Sequence, residues 1–305
     1  MRVCALLLLL AGFSAMAVAE DYRAAKPGDL LQVRLEQLHP TQAVVGYDQI
    51  YYKLGRFAKE PNKLFDEYCE GNGQGESSKV PKGANLHQPD SFSCQGAVAS
   101  RSSEMKTVVV GPEGQLYLTD GHHTFTTLWE QPEGGAKLQM WVKVTDNFSD
   151  SADLASFWQR MQTARKVWLK DGQGQMINPE QIPAQLGLAN LGDDPYRALV
   201  YFTREVAYDK PRSGDVAPEF LEFYWGNWLR GQLNLSEYDL RDKGDYRDAI
   251  AAAAKLMVAL QADSAVGDSG FKAAELGGYS SVDRKEMGKM ASKKLPYMVA
   301  YKATR

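Results

Sequence analysis

The residues best suited to chemistry stand together: Asp120, Gly121, His122 and His123 follow the apolar run Leu116-Tyr117-Leu118-Thr119. Such a run reads as a strand, and His122 to Glu130 has the composition of a short helix. A strand passing straight into a helix meets that helix's free backbone N–H groups and positive dipole end, where an anion, phosphate above all, is stabilised. Gly121 lets a ligand approach the backbone closely, and Thr124 lies in the same first turn. His122 and His123 can donate to phosphate oxygens or act as acid and base near neutral pH. Asp120 could orient one of them, abstract a proton or hold a divalent cation. The plainer alternative is that Asp-Gly forms a common turn and the histidine after it only caps the helix. Adjacent side chains leave the backbone in different directions, so one histidine is expected to face the ligand. We expect that one to be His123, deeper in the helix start, with His122 more structural. The same divergence argues against zinc, and His39 and His87 have no ligand spacing to the pair.

Around this turn the chain predicts the elements that position it. Leu30 to Leu35 reads as a first strand, and Pro40, within Leu38-His39-Pro40-Thr41-Gln42, ends regular structure. A short helix is expected over Tyr47 to Phe57. Glu70 to Ser103 is polar and glycine-rich, a longer loop than compact domains ordinarily carry. Thr107 to Val110 and Gln115 to Thr119 flank Gly111-Pro112-Glu113-Gly114 and predict a hairpin. Lys137 to Val144 alternates, with Leu138, Met140, Val142 and Val144 on one face. Beyond Asn147 the pattern turns helical. Leu154, Phe157, Trp158, Met161, Arg165 and Trp168 recur at helical spacing behind a Ser151 cap. Asp194 and Pro195 start another helix, Phe220 to Arg230 reads as a buried one, and two more are expected over Tyr246 to Gln261 and Asp283 to Tyr301. In the buried helix Glu222 is expected to pair with Arg230 or Arg197, and Trp225 and Trp228 to be core rather than a base-stacking platform.

Residues 2–19 read as a secretory signal, with Arg2, the apolar Leu6 to Leu10 and the small residues of Ala17-Val18-Ala19. Cleavage near Ala19 would start the mature chain at Glu20 and place it in the periplasm or outside the cell. Gly12 and Ser14 interrupt the apolar stretch, which is short for a spanning helix. The chain has 305 residues and a formal charge of −3, which argues weakly against a sequence-independent nucleic-acid binder. Export would leave Cys69 and Cys94 in an oxidising compartment, which favours a disulfide. Such a bond would stabilise by roughly 3 kcal/mol, tether the long polar loop and leave no cysteine nucleophile.

Leu38-His39-Pro40-Thr41-Gln42, followed by Leu116 to His123, resembles the ParB-like nuclease family of the ParB/sulfiredoxin superfamily, whose relatives include the ParB N-terminal domain, sulfiredoxin and free-serine kinases. Asp193-Asp194-Pro195-Tyr196-Arg197-Ala198-Leu199 and Glu222 to Arg230 resemble the same family, so the likeness runs over roughly residues 30 to 232. The resemblance implies a small mixed sheet with helices whose turn holds nucleotide phosphates. It implies Asp120 as the acidic residue to carry over, Gln42 and Arg197 as further ligand contacts, and Glu36 as a positional candidate for a second acid. Two departures matter. Thr124 stands where a phosphate-clamping arginine is expected, and the turn lacks the cysteine that a sulfiredoxin-type reductase needs.

The reading is an α+β fold: a ParB/sulfiredoxin-like domain over residues 20–150 with a helical region, 151–305, packed on it. The expected function is phosphoester processing, by a nuclease, phosphohydrolase or phosphotransferase, with Asp120, His122 and His123 as catalytic residues and Gly121, Thr124, Gln42, Glu36 and Arg197 binding the ligand. A divalent cation is compatible with this, and the partner would be a phosphate-containing small molecule or nucleic acid. The alternative is a non-catalytic periplasmic module that binds phosphate or nucleotide. Substrate and oligomeric state are not legible.

Overall fold

The computed structural model describes residues 21–210 and 217–305. The expected leader and the expected N-terminus at Glu20 lie outside the described residues.

A five-stranded sheet forms the frame. Its strands are β1 (Leu30–Arg34), β2 (Leu38–Pro40), β6 (Lys106–Val110), β7 (Leu116–Asp120) and β8 (Gln139–Asn147), in the order β1-β8-β6-β7-β2. Three short strands, β3 (Val44–Val45), β4 (Ser77–Lys79) and β5 (Ser93–Cys94), lie between β2 and β6 in sequence, and β9 (Gly192–Asp193) pairs in parallel with β3. The sheet is mixed: β6 runs antiparallel to β7 and parallel to β8, and β7 runs parallel to β2. The hairpin expected around Gly111 to Gly114 is therefore the centre of the sheet, with Val109 opposite Tyr117.

Both faces of that centre are covered, which explains why its strands read as unbroken apolar runs instead of alternating. Val108, Val110, Leu116 and Leu118 join Leu138, Met140, Val142 and Val144 in the main core. Over that face lie α1 (Tyr47–Lys59), α2 (Asn62–Gly71) and α3 (His122–Trp129). Val109 and Tyr117 point the other way, to Phe157, Trp158 and Met161 of α4 (Leu154–Thr163).

Asp153, not Ser151, caps α4, accepting a bond from the Ser156 N–H. The helix also stops earlier than the spacing predicts: Arg165 adopts φ 55°, so Trp168 lies beyond it, in a bridge to Gln42. Asp194 caps α5 (Pro195–Thr203) as expected. It is followed by α6 (Leu221–Arg230), α7 (Lys243–Ala259), α8 (Arg284–Lys289) and α9 (Leu295–Lys302). The last two were expected as one helix, but Met290–Lys294 between them is π-helical. Trp225, fully buried, centres the core that these helices share, and α9 packs along α1. No helix among the described residues is long and apolar enough to cross a membrane.

Candidate functional site

β7 runs buried to Thr119 and surfaces at Asp120. Gly121 turns the chain at φ 116°, and a Cβ there would stand 2.7 Å from Lys106 Cγ, so both backbone and space require glycine. α3 begins at His122, and its ladder starts with the Phe125 N–H donating to Gly121 O.

Both histidines of the turn are held as acceptors. His122 Nε2 accepts the Thr41 N–H at 3.0 Å, and His123 Nε2 accepts the Gly46 N–H at 2.9 Å. A backbone N–H can only donate, so each Nε2 presents a lone pair and each neutral ring carries its proton on Nδ1. Burial pushes His122 down to about 3 and His123 well below the usual imidazole range, with Arg197 adding to the effect at His123. Near neutral pH both rings are uncharged. His123 lines a cavity of about 550 Å3, together with Asp120, Gly121 and Thr124. His122 is buried behind that lining.

The far wall of the cavity is cationic. Arg197, 4% exposed, donates to Gln49 Oε1 at 2.8 Å, and its other terminal nitrogen lies 3.4 Å from His123 Nδ1. Both of those atoms carry hydrogens, so neither satisfies the other, and Arg197 Nε has no partner at all. Glu222 stands 3.8 Å from Arg197 and in close contact with Arg204, whose Nε is also unpartnered. Burial alone would raise the Glu222 pKa, but Arg204, Lys210 and Arg197 hold it well below the usual carboxylate range.

The near wall comes from α1 and α2. Gln49, Tyr52, Lys53 and Arg56 face the cavity from α1, and Asp66, Glu67 and Glu70 from α2. Lys53 forms a close ion pair with Glu67 and reaches Thr124 Oγ1 at 3.3 Å. Asp120 has a half-exposed side chain with Lys106 Nζ at 3.8 Å. Burial opposes its charge, but Lys106 and Lys210 more than offset this and lower its pKa. Glu70, at the exposed edge, is raised to about 7 by partial desolvation and by the Glu67 carboxylate beside it. Cationic and carboxylate side chains around the cavity are equal in number, so what distinguishes its far wall is the placement of unspent donors, Arg197 Nε and Arg204 Nε, not net charge.

Of the residues singled out in the sequence, Asp120, Gly121, His123, Thr124 and Arg197 share this cavity. Gln42 and Glu36 are not in its lining. Gln42 is buried and donates to Val44 O at 2.5 Å, while Glu36 pairs with Arg34 at 2.7 Å. Glu222 pairs with Arg197 and Arg204, whereas Arg230 bonds Asp194 at 2.9 Å. Cys69 and Cys94 are joined, with their Cα atoms 5.6 Å apart. Sequence reasoning missed Lys53, Arg56, Lys106 and Arg204. A signal existed for the first two: Gln49, Tyr52, Lys53 and Arg56 recur at helical spacing as one polar stripe. Among the described residues no group of three or more His, Cys, Asp or Glu side chains is arranged to hold a metal ion.

The architecture has a counterpart. Protein Atu1540 from Agrobacterium tumefaciens, a solved crystal structure, superposes with a TM-score of 0.50 at 22% identity, covering 76% of this chain and 92% of that one. That likeness concerns the fold alone. No curated protein gives a significant match. The family described as "Putative ParB-like nuclease" matches residues 31–231, a span that begins in β1, contains the Asp120 turn and both arginines of the far wall, and ends just past α6. Because that span takes in most of the chain and every element that builds the cavity's two walls, the chain belongs to the ParB-like nuclease family.

Proposed function

We propose that this cavity binds and processes phosphate esters, nucleic acid strands or nucleotides among them, with a phosphate seated between His123 Nδ1 and Arg197. The observation that carries this reading is the pair of donors that face each other without an acceptor. His123 Nδ1–H has only another donor facing it, Arg197 Nε is unpartnered, and the carboxylate nearest that guanidinium, Glu222, stands at 3.8 Å, beyond hydrogen-bond length. Leaving buried donors unsatisfied costs on the order of 1–3 kcal/mol each, which an anion would recover. A guanidinium beside an N–H is a strong phosphate clamp. Family membership supports a nucleic-acid-directed role.

In this reading His123 is a hydrogen-bond donor to the phosphate rather than an acid or base. Asp120, ionised and half-exposed in the same cavity, is the general base that takes a proton from the attacking water or hydroxyl. A divalent cation would arrive with the phosphate and share Asp120, as magnesium commonly does. The disulfide supports a site that works outside the cytoplasm, which agrees with the leader expected over residues 2–19.

A second reading has its own observation. Both histidine Nε2 atoms are occupied, so the turn offers no free imidazole base, which fits a module that binds phosphate without turnover. One experiment separates the two. Hydrolysis of a labelled phosphodiester oligonucleotide, with and without Mg2+ or Mn2+, is followed beside binding of the same strand. Asp120→Asn should lose at least 100-fold in rate and keep binding, and Arg197→Gln should lose both. No turnover under any condition with intact binding selects the module. Undiminished binding in Arg197→Gln removes the phosphate seat altogether.

A further inference from the structure

The first cavity does not end at Arg204. Tyr52, Arg56 and Arg204 also line a second cavity, of about 780 Å3, whose opposite wall is the π-helical segment Met290–Lys294. The two spaces share one wall, and two of the three residues in it are arginines. Across from them the second cavity is lined by Lys289, Lys293 and Lys294. Two of its three carboxylates are spent: Glu286 pairs with Lys289 at 2.6 Å, and Glu60 with Arg56 at 3.7 Å and the Tyr297 hydroxyl, while Glu205 makes no ion pair among the described residues and offsets part of the charge of Lys294. Lys293 is exposed, and Lys294 lies half-buried over the Tyr201 ring at 5.2 Å. Neither has a carboxylate within ion-pair distance among the described residues. Arg204 Nε, on the shared wall, also has no partner. Both lysines lie in this π-helical segment.

We propose that this second cavity is a phosphate subsite continuous with the first, and that the ligand is a phosphodiester chain, a short single strand of nucleic acid. One phosphate sits at His123 and Arg197, and the following ones run past Arg56 and Arg204 to Lys293 and Lys294. The proposal rests on the phosphate seat argued above and names what that seat takes. A single phosphate fills only the first position and leaves Arg204 Nε and two lysines without an anion. Each further phosphate neutralised releases counterions, so affinity grows with chain length and becomes steeper in salt. Inorganic polyphosphate carries the same repeating charge without bases.

The test is fluorescence anisotropy on the full chain. Binding of a mononucleotide monophosphate is compared with that of labelled single strands of increasing length, with inorganic polyphosphate as competitor, for the parent protein and for Lys293→Gln, Lys294→Gln and the double variant. The expected result is at least a tenfold gain from monomer to short strand. The double variant should lose that gain, with monomer affinity and melting temperature unchanged and a salt slope smaller by about 0.7 for each lysine removed. Competition by polyphosphate at equal charge keeps the subsite and identifies backbone charge as what it reads. Weak competition identifies the nucleic acid strand. If monomer and strand bind equally, or the double variant keeps the full gain, the subsite is wrong while the phosphate seat stands. If neither binds, both readings fall.

Discussion

The two imidazoles at the head of α3 are hydrogen-bond acceptors locked to Thr41 and Gly46, and that role makes them acid-sensitive. His122 is 3% exposed with its pKa lowered to about 3, against about 6.5 in an unfolded chain. Because its folded pKa is depressed, its contribution is complete above about pH 6.5. It is lost as the pH falls toward 3, where the unfolded state binds the proton first. The full effect is roughly 5 kcal/mol. His122→Gln can still accept the Thr41 N–H but does not titrate. Chemical denaturation between pH 4 and 7 should therefore show a shallower decline in stability for the variant, and parallel declines would assign the acid sensitivity to other groups. At this scale the sequence discloses residue types but not environments. Two histidines side by side suggest acid–base chemistry; burial keeps them neutral, and the amides of Thr41 and Gly46, distant in sequence, make them acceptors. Arg204 and Lys106 carried no local mark, since each acquires its role from a carboxylate or a turn brought close by the fold.

Among the elements, α2 is the one on which the near wall depends most. Its last turn carries Cys69, and the bond to Cys94 in β5 ties the helix across the long polar stretch. Glu67, one turn from its end, holds Lys53 beside Thr124. Replacing both cysteines by serine should cost about 3 kcal/mol in thermal or urea unfolding. It should also weaken phosphate binding several-fold, because Lys53 loses its fixed neighbour. Unaltered phosphate affinity in the destabilised variant would show that the near wall is set by α1 alone. The hairpin was legible because turn residues separate two β-branched or aromatic runs. By contrast, α2 was not, since Leu64, Phe65 and Tyr68 make too short a period amid charge to stand out. The early end of α4 is a tertiary effect: leaving the helix lets Lys166 pair with Asp146 at 3.3 Å and Glu219 at 2.9 Å. The π segment before α9 has a local cause that periodicity alone overlooks. Pro296 has no N–H to give and crowds the preceding turn, and the wider geometry accommodates it.

For the molecule as a whole, α1 is the member that both halves use. One stripe of it faces the ligand cavity, and its other side carries α9 so closely that a Cβ on Gly55 would lie 2.3 Å from Tyr297 O. Asp48, nearly buried, pairs with Lys302 at 2.9 Å, and the Tyr51 and Tyr301 rings meet at 5.7 Å. Asp48 and Lys302 are 254 residues apart. The wall proposed to receive the ligand is thus made early in synthesis, and part of its bracing comes from some of the last residues to be made. A growing chain that has not yet produced α9 lacks that brace, so the proposed binding is expected to arrive late in synthesis, not when the Asp120 turn is complete. A chain ending at Lys294 should accordingly melt at least 5 °C lower and bind a mononucleotide at least tenfold more weakly, although α9 contributes nothing to the first cavity's lining. Full affinity in that shortened chain would mean that the site matures before the chain does, and that a phosphoester-directed protein is active while still being made.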